Sequence, residues 1–162
     1  MSGQFVPGRS LPIRLVASTL HTSPMPVREA LRQLVTEHAI EILPNRSFGV
    51  PTLSLQTFRE ILQVRIQLEG LAGALACRHS NDDLINRLAD LEREMSKSEK
   101  EHDSRRLIML NQAFHFEIYI AARSKILLPF IESLWLQVGP YIPYVYANGD
   151  VFMMSLNHHE MI

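Results

Sequence analysis

The sequence predicts a mainly α protein in two parts, a small helix-turn-helix with a β-hairpin and a larger all-α bundle behind it. Apolar residues recur at three and four positions over most of the 162 residues. The exceptions are two short β-like runs, Ala39 to Leu43 and Phe48 to Val50, joined by the turn residues Pro44, Asn45, Arg46 and Ser47. With 46% hydrophobic and 20% charged residues the chain has the composition of a folded globular protein, and its length excludes a large multidomain assembly.

Taken in order, the apolar residues Leu11, Leu15, Val16 and Leu20 share one helical face, which predicts a first helix starting at Ser10 or Leu11, with Pro12 tolerated in its first turn. Pro24 stops any continuation and opens a second helix to about His38, with Ser23 as its cap and Val27, Ala30, Leu31, Leu34 and Val35 on one face. The hairpin that follows is a wing. Pro51 to Ser54 reads as a linker, giving domains over 1–50 and 55–162. Beyond it the periodicity predicts helices over Leu55 to His79, Asp82 to Lys100, Arg105 to Ala122 and Ile126 to Val138. The mixed charges from Glu92 to Arg106 read as a solvated helix end and loop.

The net charge of −1 conceals an asymmetry, because residues 1–50 hold 5 Arg against 3 Glu and the remainder holds 11 basic against 14 acidic residues. The single Cys77 excludes an internal disulfide and fits a reducing compartment, with core packing as its expected role. Met1 to Arg9 lacks the basic start and apolar run of a signal peptide. Ser133 to Gly149 is uncharged over 17 residues, yet Gln137, Gly139, Pro140 and Pro143 argue against a membrane span.

The run Pro24-Met25-Pro26-Val27-Arg28-Glu29-Ala30-Leu31-Arg32-Gln33-Leu34 resembles the recognition-helix motif of the GntR superfamily of bacterial transcription regulators. Pro7-Gly8, Leu11, Ala17 and Leu20 match upstream, and Leu43-Pro44-Asn45-Arg46 is similar to the family's wing turn. The larger half resembles the FCD effector domain of the FadR subfamily through Val64-Arg65, Leu68-Glu69, Ala72, Ala76, Asn111, Phe114-His115, Ser155-Leu156 and His159. The resemblance implies a cytoplasmic homodimer that binds double-stranded operator DNA through a winged helix-turn-helix and is modulated by a small organic acid bound beside a divalent metal. It also implies that the family's first helix, ahead of Ser2, and its closing helices, after Ile162, are missing here, which would leave the apolar face of Ile126 to Val138 exposed.

Candidate residues follow. Arg28 near the start of the recognition helix suits guanine or phosphate, Arg14 matches a family backbone contact, and Arg46 at the wing tip and Ser23 at the helix start suit phosphate. Arg32, one turn further along, suits a phosphate contact or plain solvent. Three departures bear on affinity: Pro24 replaces a basic residue, and His21 and Ser47 replace glycines. Asn111 and His115, four apart on one helix, share a face and suit one ion, with His159 as the third of the four ligands that the resemblance implies; the fourth, a histidine, would fall after Ile162. That donor set fits zinc, nickel or a manganese-like ion. The bland alternative is a core histidine between Phe114 and Phe116. Arg65 and Glu69 form either an intrahelical ion pair or, for Arg65, a bidentate hold on an effector carboxylate.

His102 and His158 have no supporting partners and should be exposed. Two other classes compete: a degenerate interaction module that has lost DNA binding, and a metal-dependent enzyme on Asn111, His115 and His159. The enzyme lacks a general base, since Glu117 points elsewhere on the helix from His115.

Overall fold

The computed structural model describes residues 6–143. The first strand, β1, is Ser10–Leu11, and the first helix, α1, runs only over Ile13–Thr19. The expected helix start at Ser10 or Leu11 is thus corrected. Leu11 precedes Pro12, whose ring disfavours the helical region for its predecessor, so Ser10 and Leu11 extend and pair elsewhere. Pro12 becomes the residue that caps α1, with φ −66° and ψ 119°.

Helix α2 spans Pro24–Thr36, followed by β2 (Glu41–Ile42) and β3 (Phe48–Gly49). The three short strands form one antiparallel sheet in the order β1-β3-β2, with Leu11 and Ile42 both opposite Phe48. A Cβ on Gly49 would meet Leu43 Cδ1 at 2.9 Å, so a larger residue here would have to displace the Leu43 side chain. Ala17, Val27, Leu31, Ile40 and Phe48 form the core of this half.

Both α1 and α2 end in the same way. The amide of His21 donates to Ser18 and that of Thr22 to Ala17, while those of His38 and Ala39 donate to Val35 and Leu34. This pairing places His21 at φ 50° and His38 at φ 57°, a left-handed position that glycine normally holds. The replacement of glycine by His21 therefore costs about 1 kcal/mol of backbone strain. Ser47 carries no such cost, because in the wing it is Arg46 that takes the positive φ, 60°.

After residues 51–54, four helices follow: α3 (Leu55–Cys77), α4 (Asp82–Lys100), α5 (Ser104–Ala121) and α6 (Leu127–Val138), closed by a 3-10 turn at Gly139–Tyr141. Ser54 caps α3 by accepting from the Thr57 amide, and Asn81 and Asp103 cap α4 and α5 in the same manner. Two cores sit between them. Ala72, Tyr119, Ala122, Leu127, Ile131 and Trp135 join α3, α5 and α6, while Met95, Leu107 and Phe114 join α4 to α5.

Two packing expectations fail. Cys77 is exposed, because Ala72 and Ala76 occupy the packed face of α3 and Cys77 falls to one side of it. The apolar face of α6 is not left open either: Leu127, Ile131, Trp135 and Val138 are buried, and of the large apolar residues from 126 to 138 only Ile126 and Phe130 stand out in solvent. His102 is exposed, as expected, and His158 lies outside the described residues.

Candidate functional site

The winged half presents its cations outward. Val27 and Leu31 fix the inner face of α2, which leaves Arg28 and Arg32 on the solvent side, and Arg14 on α1 and Arg46 in the wing turn are also exposed. Arg14, Arg28 and Arg46 make no ion pair among the described residues. Arg32 pairs with Glu29 at 3.3 Å, with both side chains about 60% exposed, a contact worth a few tenths of a kcal/mol. The wing turn is built by Asn45, whose Oδ1 accepts from the Ser47 amide at 3.1 Å and from its hydroxyl at 2.6 Å. This holds Arg46 at the tip.

Ser23 occupies the cap position of α2, but its side chain makes no capping hydrogen bond. Pro26 stands three residues on, where the amide that a cap usually receives is absent. The Ser23 hydroxyl is exposed. Pro24 at the first helical position fits the backbone while removing the charge expected there.

In the helical half, Arg65 is held in the opposite way. Arg65 Nε donates to Glu69 Oε1 at 2.6 Å, and the two side chains are only 15% and 20% exposed. Glu69 also accepts from Tyr119 Oη at 2.7 Å and from Trp135 Nε1 at 3.1 Å. The Arg65 guanidinium lies 4.4 Å from the centre of the Trp135 ring, a cation–π contact that adds to the ion pair. Burial, and then the Glu69 carboxylate, push the Tyr119 phenol well above its ordinary range, which keeps it a proton donor. One carboxylate thus joins α3, α5 and α6.

His115 stands beside this cluster, its ring 5.7 Å from that of Trp135 and stacked at 6.1 Å on Tyr119. Arg65 and His115 therefore meet the same indole. One turn earlier on α5, Asn111 is buried and its Oδ1 has no hydrogen-bond partner among the described residues. An orphaned carbonyl oxygen costs about 1–3 kcal/mol, and a cation offsets that cost, so the donor fits a metal. The ligand set on view is nevertheless partial: His159 lies outside the described residues, and no group of three His, Cys, Asp or Glu among those described is placed to hold an ion.

The two halves are joined through α6. Ser133 Oγ donates to the Glu37 carbonyl at 3.1 Å, and Gln137 Nε2 reaches the same oxygen at 3.4 Å. Glu37 is the C-terminal cap of α2, where carbonyls lack helical partners. Beyond α6, Tyr141 Oη donates to the Pro51 carbonyl at 3.0 Å and accepts from the Leu53 amide at 2.6 Å. Sequence reasoning missed Tyr119, Trp135, Ser133, Gln137 and Tyr141. The i, i+4 pair Ser133/Gln137 and the single tryptophan were the only signals for them.

Residues 1–50 match the model of "Bacterial regulatory proteins, gntR family", and residues 60–162 match the FCD domain. The chain is 33% identical over 144 residues to the HTH-type transcriptional regulator McbR of Escherichia coli K12, covering 89% of this chain and 65% of that protein. It is 30% identical over 134 residues to the Nta operon transcriptional regulator of Aminobacter aminovorans, covering 83% and 63%. The solved structure of E. coli McbR/YncC superposes with a TM-score of 0.84 at 32% identity, covering 90% of this chain and 68% of that one. The chain spans just under two thirds of the length of these two curated relatives. No helix among the described residues is long and apolar enough to cross a membrane.

Proposed function

Because the chain belongs to the gntR family of bacterial regulatory proteins and carries an FCD domain, we propose that it is a cytoplasmic transcription regulator that binds operator DNA as a homodimer. The observation that carries this reading is the set of exposed cations, Arg14, Arg28 and Arg46, on the two helices and the wing, without acidic partners among the described residues. Arg28 reads a base or phosphate in the major groove, Arg14 and Arg46 hold phosphates, Ser23 donates to a phosphate, and Arg32 adds a weaker phosphate contact. Two copies place two recognition helices on successive half-sites.

The Arg65 cluster is the effector site in this reading. Glu69 engages Nε, and the other edge of the guanidinium receives the carboxylate of a small organic acid in a two-pronged hold. Asn111 Oδ1 and His115, with His159, would hold a zinc, nickel or manganese-like ion, which when bound supplies positive charge for the same carboxylate. The buried orphan oxygen of Asn111 supports that assignment. The relatives are named as transcription regulators, which favours this reading over a metal-dependent enzyme.

The test is fluorescence anisotropy of the purified chain on DNA from upstream of its own gene and on a scrambled control. Tighter binding to the upstream fragment is expected. Equal or absent binding by folded protein contradicts the reading and favours an interaction module that has lost DNA recognition.

A further inference from the structure

Helix α6 faces two ways. Trp135 is two residues from both Ser133 and Gln137, a rotation of about 200° at 100° per residue, so it lies on the opposite side of the helix from that pair. One side is tied to Glu69 through the indole, and the other is tied through Ser133 and Gln137 to the carbonyl of Glu37, which caps the recognition helix. A helix of 12 residues packed on Ala72 and Tyr119 moves as a rod, so a shift at one face appears at the other.

We propose that α6 relays the state of the Arg65–Glu69 cluster to the recognition helix α2. The inference rests on the regulator reading above and adds the route of its regulation. An anion on Arg65 competes with Glu69 for the guanidinium, and Glu69 then redistributes between Tyr119 and Trp135. The indole is held on its edge by Glu69 and on its face by Arg65, so both of its restraints change together. Trp135 carries α6 with it, and Ser133 and Gln137 pull on Glu37, which ends the helix that bears Arg28. Tyr141, just beyond α6, adds a hold on Pro51 and Leu53 between the two halves. Ser133 and Gln137 are thus positioning residues, remote from the arginines that meet DNA.

Coupling between sites is reciprocal, so DNA must perturb the cluster as much as the cluster perturbs DNA binding. Trp135 is the only tryptophan, which makes its emission a direct report on the cluster. The experiment titrates the full chain with a dye-labelled fragment from upstream of its gene, reading dye anisotropy for binding and tryptophan emission for the relay. It is repeated with Ser133→Ala/Gln137→Ala, checked for folding by circular dichroism. The expected result is a DNA-induced change in emission for the wild type that is lost in the double variant while binding persists. Binding with no emission change in the wild type, or with the same change in the double variant, overturns the relay and leaves the regulator reading intact. Flat anisotropy overturns the regulator reading, and the relay falls with it.

Discussion

The winged surface and the Arg65 cluster hold arginine in opposite ways. In the winged half Arg14, Arg28 and Arg46 stand in solvent without acidic partners among the described residues, whereas in the helical half Arg65 is mostly buried, paired with Glu69 and laid on Trp135. An exposed unpaired cation keeps its full charge for an external polyanion and costs the fold nothing to lose. A buried paired one is held by its neighbours, so a ligand must compete for it, and removing its partner leaves a charge stranded. The first arrangement suits binding and the second suits response.

Glu69→Ala is the most severe way to break that contrast. It strands Arg65 and removes the acceptor of Tyr119 and Trp135, so urea unfolding should show a loss of about 3 kcal/mol. A loss below about 1 kcal/mol would mean that the cluster is not a structural joint. Arg28→Ala should have the reverse profile: specific DNA affinity falls roughly 10- to 100-fold, in line with about 1–3 kcal/mol per base-reading arginine, with the unfolding midpoint unchanged. Unchanged operator affinity would remove Arg28 from the interface.

Smaller effects sharpen the comparison. Asn111→Leu removes the orphan oxygen and should stabilise the metal-free protein by about 1 kcal/mol, while abolishing the rise in melting temperature that the metal reading expects of the wild type in zinc chloride. A zinc response that survives the substitution would take Asn111 out of the metal site. Arg32→Ala, at an exposed pair with Glu29, should change stability by less than about 0.5 kcal/mol and weaken DNA binding only a few-fold.

How much of this was legible in the sequence depended on how local each feature is. The bounds of α4 agree with the periodicity to the residue, and those of α3, α5 and α6 to within two, because each is amphipathic and opens at a clear break. The strand β1 was hidden because its partner lies about 38 residues away in β3 and local spacing at Leu11 to Leu20 reads as helix. The Arg65–Glu69 pair was visible at i, i+4, but its meaning was not. Tyr119 and Trp135, 50 and 66 residues beyond Glu69, turn a surface-type pair into a buried joint. The contact between Ser133 and Glu37 spans 96 residues and has no sequence signature.

The salt dependence of operator binding tests the central claim most directly. If a dimer sets Arg14, Arg28 and Arg46 of each protomer on phosphates, log affinity should fall with log salt at a slope of roughly −5. The triple variant Arg14→Ala/Arg28→Ala/Arg46→Ala should flatten it toward zero. A slope near zero in the wild type, or a steep slope that survives in the triple variant, would show that these exposed arginines do not hold DNA.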